Sequence, residues 1–352
     1  MRNIIIFSLS LIVFPLFGQS LQNIHIQANQ SKTFNLSEIA EQVQYVGLEV
    51  TPSIEFDDVH DVVWTNNYLM VQVSSIEFNQ RTPLRTLLYD HSGKFILEYG
   101  NEDEAMRKIL YDSVRDLLFV NYPKGVVKQL DFEKNVKRTW EFKSNPNLYH
   151  NESFYSQYSE LKEDGMHYLL ARYLTQTEDE EILYHFIENE KSADQPVAFN
   201  TRHASFSFRG QTPIVSFGLD NTLYQILDKK ITPIIKFTID PAPAHALDKY
   251  GYQFQGFIGN YLCIHYLRNM QQYLYFKNMR SGKVFQTMYS IKDSKVSDGI
   301  KDDILHTGAC KITPLNRPDY FYFVKKREEL QGNTELLKEN ANHTIFFVKL
   351  KP

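Results

Sequence analysis

Asp90-His91-Ser92-Gly93-Lys94-Phe95-Ile96-Leu97 decides the fold. An aspartate, a short polar turn with glycine, a lysine and then an apolar strand make a tight hairpin. The same beat returns in Asn278-Met279-Arg280-Ser281-Gly282-Lys283, which leads into Val284-Phe285. It returns without glycine in Asp131-Phe132-Glu133-Lys134, which leads into Val136. Outward from each hairpin lie further short strand-like runs, so the strands come in sets. The sets recur roughly every 40–45 residues, the period of propeller blades.

Six sets are legible. Val59, Val62 and Val63, the alternating run Leu69-Val71-Val73, Thr86 to Asp90 and Lys94 to Gly100 form the first. The second runs from Arg107 to Phe142, the third from Ser153 to Phe199 and the fourth from His203 to Asp240. Pro233 marks the last strand of the fourth set as an outer one, because proline cannot donate to a ladder. The fifth set spans Tyr252 to Ile291. The sixth has strands over Ile304 to Ile312, Tyr320 to Val324 and Thr344 to Leu350, with a helical insertion expected over Glu328 to Asn340. It lacks one strand. Gln44 to Val50 is a strand without a set, and pairing it with Ile345 to Val348 closes a ring and hides two sheet edges. A chain begun at Asn66 is therefore expected to be insoluble or unfolded. Ahead of that strand, Asn35-Leu36-Ser37-Glu38 reads as a helix start with a capping box, ending near Gln42.

The expected fold is all-β, a single six-bladed β-propeller over residues 19–352. Residues 1–18 read as a signal peptide: Arg2 supplies the positive charge, Ile4 to Phe17 the apolar stretch and Gly18 the small residue before cleavage. That stretch is shorter than the roughly 20 residues of a spanning helix. No cysteine lies near it, so the reading is a secreted or periplasmic protein and not a lipoprotein. Loss of Arg2 takes the net charge from -4 to -5. That mild acidity argues against nucleic acid as a partner, and no later segment is apolar enough to span a membrane. Cys263 and Cys310 sit in strand-like runs and read as buried thiols. The 25 Phe and 22 Tyr suit a packed β core and need no ligand to explain them.

The chain resembles the bacterial secreted six-bladed β-propellers of uncharacterised function, relatives in shape of NHL-repeat propellers. The resemblance rests on Tyr45-Val46-Gly47-Leu48-Glu49-Val50-Thr51, on Leu88 to Phe95 with Glu98-Tyr99-Gly100, on Asn221 to Ile226 with Thr232-Pro233-Ile234, and on Glu339 to Ile345. Asn101-Glu102-Asp103-Glu104-Ala105 stands where the family often has Gly-Pro-Gly-Glu, and His343 where it often has proline. The resemblance implies an exported propeller and brings no catalytic residue with it.

The densest polar constellation is Asp57-Asp58-Val59-His60-Asp61. On a regular strand Asp58 and His60 share one face. Lys301-Asp302-Asp303 with His306 is similar in kind, and blades one and six are neighbours in a closed ring. Asp58, His60, Asp302 and His306 are therefore the candidate ligand-binding residues, at one mouth of the central channel. No metal site, cofactor motif or nucleophile elbow is legible. The expected function is a monomeric binding or protein-interaction module for a protein or glycan ligand. The alternative is a carbohydrate-active lyase or hydrolase working at the channel mouth.

Overall fold

The structure, a computed structural model, describes residues 21–352 apart from 29–31, 52–53, 78–79, 82–83, 100–105, 189–204, 218–220, 228, 241–251, 270, 293–294, 331 and 337. The signal-peptide reading and the Asn101–Ala105 departure lie outside the described residues. Six sheets of four or five strands form the blades. The first is Asp58–Trp64, Tyr68–Ser74, Arg85–Asp90 and Phe95–Tyr99, joined antiparallel in that order. The innermost strands of the others are Lys108–Asp112, Leu148–His150, Ser205–Arg209, Tyr252–Ile258 and Thr313–Pro314. Innermost strands of neighbouring blades touch around the axis, the second with the third, the fourth with the fifth and the fifth with the sixth.

Alternation along the strands makes the core. In the first blade Leu69, Val71, Val73, Leu87 and Tyr89 face the last blade and pack on Tyr322, Ile345 and Phe347. Met70, Leu88 and Tyr99 face the other way, onto Ile109, Leu118 and Val120 of the second blade. Each such side chain contributes about 1.5–3 kcal/mol by leaving water. The core is thus a set of seams between blades, and each blade is held by both neighbours.

The closure is as expected. Ala40–Glu49 pairs antiparallel with Ala341–Leu350, with Val46 opposite Ile345 and Val43 opposite Val348. It forms the outermost strand of the last blade. The recurring turn also has a physical account. Asp90 Oδ1 accepts from the Ser92 amide and hydroxyl and from the Lys94 amide, at 2.7–3.0 Å. Asp131 Oδ1 accepts from the Glu133 and Asn135 amides, and Asn278 Oδ1 from those of Arg280 and Ser281. One side-chain oxygen closes each hairpin. Gly93 has a φ of 83°, and a Cβ there would lie 2.2 Å from the Gly47 carbonyl oxygen. Lys134 takes the same backbone region at a φ of 70°.

Several expectations are corrected. The helix after Asn35 is a single 3-10 turn, Leu36–Glu38, because Ala40 already begins the closing strand. Glu38 does accept from the Asn35 amide, at 3.0 Å. The insertion after Lys326 holds two 3-10 turns, Arg327–Leu330 and Thr334–Leu336. Ile304 to Ile312 is not an inner strand: Gly308–Cys310 pairs with Ile300–Asp302 in a separate ribbon. Lys230–Asp240 is the fourth strand of its blade but not an edge. Gln22–Gln27 runs parallel to it, paired with Ile235 to Asp240 and so beyond Pro233. Cys263 and Cys310 are buried and unbonded.

From that fifth strand the N-terminal segment crosses to the next blade, where the Lys32 amide donates to the Gln286 carbonyl at 2.7 Å. Phe34 then packs on Phe285, its ring centroid 5.0 Å away. The Ser37 amide and hydroxyl donate to Asp303, at 2.9 and 2.6 Å, before the closing strand begins. Through these described contacts the N-terminal strap ties the fourth, fifth and sixth blades together.

Candidate functional site

The segment Asp57 to Asp61 is a branch point. A β-bulge falls between Val59 and Asp61, so Val59 opposes Val73, Asp61 opposes Gln72 and His60 is the extra residue. A bulge re-aims the side chains that follow it. His60 Nε2 lies 2.7 Å from Ser74 Oγ, within its own blade. Asp58 makes an ion pair with Lys326 of the last blade, at 3.6 Å.

Asp61 is directed to a different set of partners. Its carboxylate accepts from the Val62 amide at 2.9 Å and from the Tyr322 hydroxyl. Lys108, the first residue of the second blade's innermost strand, is its electrostatic partner, and Lys108 Nζ donates to the Asn147 carbonyl at 3.0 Å. Burial raises the Asp61 carboxyl above the usual range, against the pull of Lys108. Burial also lowers Lys108 below the ordinary ammonium range, with Asp61 opposing. Tyr322 is pushed well up by burial and by the Asp61 charge. Tyr322, Asp61 and Lys108 thus join three consecutive blades through one acid–base set.

A cavity of about 420 Å³ opens at the seam between the first and last blades. Phe56 and Asp57 form one wall; Lys326, Arg327, Glu328, Asn342 and His343 form the other. His343 is only 4% exposed and stacks on Phe56, with centroids 4.7 Å apart. Its Nε2 lies 3.0 Å from the Asp57 carbonyl oxygen, which can only accept, so Nε2 carries the proton. Burial holds His343 below the usual imidazole range, and Lys326 adds to that against the Asp57 carbonyl. Nδ1 of the neutral ring is therefore an acceptor, and it is buried without a hydrogen-bond partner. Arg327 Nη1 spans the Lys338, Glu339 and Ala341 carbonyls, at 3.0–3.2 Å, which fixes the guanidinium at the rim.

Asp302 and His306 do not belong to this seam. Asp302 is 2% exposed, and its carboxylate accepts from the Ile304, Leu305 and Thr307 amides and the Thr307 hydroxyl. His306 sits in that turn with a φ of 56°. The neighbouring residues Lys301 and Asp303 bind the strap, through Phe34 and Ser37. The structure therefore places Asp57 in the cavity wall and Asp58 on Lys326, and gives Asp302 the work of a turn. Lys108 and His343 were the residues that sequence reading passed over. The signal for His343 was its place in the strand where the related pattern has proline.

A second polar chain lies on the third blade. His167 Nδ1 is 2.7 Å from His185 Nε2, and His167 Nε2 is 2.6 Å from Asp164. Among the described residues no group of three or more His, Cys, Asp or Glu is arranged to hold a metal ion. No described helix is long and apolar enough to cross a membrane.

No family model matches the chain, and no curated protein matches it in sequence. Among solved structures, a protein of Bacteroides fragilis NCTC 9343 that carries the designation of an exported protein is similar over 94% of this chain and 100% of its own. The TM-score is 0.66 and the identity 14%. The Swd1 β-propeller domain of Myceliophteria thermophila matches 88% of this chain and 100% of its own, with a TM-score of 0.44 and 10% identity. The acylaminoacyl peptidase of Pyrococcus horikoshii matches 77% of this chain and 43% of its own, with a TM-score of 0.43 and 9% identity. The last two lie below the likeness at which shared architecture can be argued. The first shares with this chain the six-bladed β-propeller fold.

Proposed function

We propose that the chain is an exported binding module that takes a small anionic, hydroxyl-bearing ligand, such as the uronic acid unit of a glycan, at the seam of its first and last blades. One observation carries the reading: the seam cavity sets Lys326 and Arg327, with the Asp57 and Glu328 carboxylates opposing them, beside a buried imidazole whose acceptor nitrogen has no protein partner. The cations suit a carboxylate, and His343 Nδ1 suits a donor hydroxyl. Export rests on the pattern of residues 1–18 and agrees with the designation of the Bacteroides fragilis protein of the same fold. The NHL-like relationship, a secreted or periplasmic location and a monomeric state belong to the same proposal.

The test is a thermal-shift and calorimetric titration of the mature protein with glucuronate and galacturonate, with glucose as the neutral control. The uronates stabilise the protein, glucose does not, and Lys326→Gln weakens uronate binding about tenfold, which is roughly 1.4 kcal/mol. No uronate response, or an unchanged response in Lys326→Gln, overturns the reading. N-terminal sequencing of the exported protein is expected to start at Gln19.

A second reading, a carbohydrate-active enzyme, rests on the Tyr322–Asp61–Lys108 set, whose members are displaced from their ordinary protonation ranges. Turnover of a bound glycan, lost in Asp61→Asn, would favour it over simple binding.

A further inference from the structure

We infer that the hollow beneath the N-terminal strap is a second binding site, for the oxyanion group of a small ligand, with Arg268 as its anchor. The hollow has a volume of about 440 Å³. Ala28 and Thr33 of the strap wall one side; Arg268, Asn269, Tyr273 and Asp298 of the fifth blade wall the other. It exists because the strap bridges two blades at this point. The Ala28 amide donates to the Asp240 carbonyl of the fourth blade at 2.9 Å. Gln286 Nε2 of the fifth blade donates to the Gln27 carbonyl, also at 2.9 Å.

Arg268 ends the strand Tyr261–Arg268, with its backbone paired to Gln271. Its side chain is half-buried, and Nη1 is enclosed without a hydrogen-bond partner. Other half-buried arginines are treated differently. Arg85 grips both Glu98 carboxylate oxygens, at 2.7 and 2.8 Å. Arg172 binds the Ser153 hydroxyl at 2.9 Å and pairs with Glu181 at 3.5 Å. An enclosed guanidinium nitrogen without a hydrogen-bond partner is costly, and the planar fork matches a carboxylate or phosphate in two parallel hydrogen bonds. Thr33 and Asn269 add a hydroxyl and an amide to the same wall. Asp298 is exposed and accepts from the Ser290 hydroxyl at 2.5 Å, so it sets a negative charge at the rim that opposes an anion. Occupancy would join the strap to the fifth blade and so stabilise the folded state in proportion to the logarithm of ligand concentration.

The test titrates the mature protein with sodium phosphate and, separately, with sodium acetate, at constant ionic strength against chloride. Melting temperature and calorimetric heat are both read. The wild type is stabilised by at least one oxyanion beyond chloride. Arg268→Gln weakens that binding about tenfold, and Asp298→Asn tightens it severalfold. Response to phosphate alone identifies a phosphoryl ligand, and response to acetate a carboxylate. Should Arg268→Gln fail to fold, Arg268→Lys keeps the charge and loses the fork, and it must bind severalfold more weakly. In a Lys326→Gln background Arg268→Gln must still weaken the response about tenfold, which separates this site from the seam cavity. Stabilisation by neither oxyanion, or an undiminished response in both Arg268 variants, overturns the inference.

Discussion

The amide of Glu49 donates to the carbonyl of Gly93 across 2.9 Å. The first blade's outer hairpin is thereby fastened to the strand that completes the last blade. Glu49 Oε2 also accepts from the Phe95 amide at 2.9 Å, and Lys338 Nζ donates to the Ser92 carbonyl at 2.6 Å. The turn that marks the repeat in the sequence is here part of the clasp.

Gly93→Ala is expected to destabilise the protein by about 2–4 kcal/mol. A φ of 83° disfavours any Cβ, and this one meets the Gly47 backbone. The urea midpoint reads the loss. Gly282→Ala, with a φ of 77° but open space around it, is expected to cost only about 1 kcal/mol.

A chain begun at Thr51 loses the closing strand and the strap. It exposes the Ala341–Leu350 edge, with Ile345, Phe346, Phe347 and Val348 buried in the intact ring. Aggregation by size-exclusion chromatography, or a non-cooperative melt, is the expected outcome.

Lys108→Met removes the cation that draws the Asp61 carboxyl down, and about 1–3 kcal/mol of stability is expected to be lost. Asp61→Asn added to Lys108→Met is expected to restore most of it. A double-mutant cycle in urea measures the coupling.

His265 is held down to about 4, first by burial and then by the Lys311 charge, against a reference of 6.5. Its folded value is depressed, so the unfolded chain binds the proton more readily. The stability it contributes is present above pH 6.5 and is lost as pH falls towards 4, at most about 3 kcal/mol in full. His265→Phe keeps the stack on Tyr289, whose centroid lies 5.5 Å away, and removes the titration. Melting temperatures from pH 7.5 down to pH 4.5 are expected to fall less steeply in the variant.

Asp302→Ala strips three amides and a hydroxyl of their acceptor, at a cost of about 2–4 kcal/mol. Uronate binding per folded molecule is expected to stay unchanged. A weakened uronate response in the folded variant would return Asp302 to the site.

The fold was legible because its signals are local. Asp90, Asp131 and Asn278 write the hairpins in adjacent residues, and Gln44 to Val50 stood out as a strand without a set. The strap did not announce itself, since a parallel pairing of Gln22–Gln27 with Ile235 to Asp240 has no turn to mark it. The candidate site was legible only as a polar composition. Asp57 lines the seam cavity, but one extra residue at His60 broke the alternation that assigned the faces of Asp57 to Asp61. Asp302 looked like a ligand because a carboxylate that closes its own turn has the same composition as one that binds something else. Lys108 gave no sign, because its partner lies in another blade.

The strap has a consequence for the order of assembly. Its residues leave the ribosome before any blade does, yet their seats, at Ile235 to Asp240, Gln286 and Asp303, are made some two hundred residues or more later. The leading end must stay unseated through most of translation, and sealing the ring waits until the last β-strand, Ala341–Leu350, has been made. The closing strand Ala40–Glu49 is made before the blades it seals and takes its place after them.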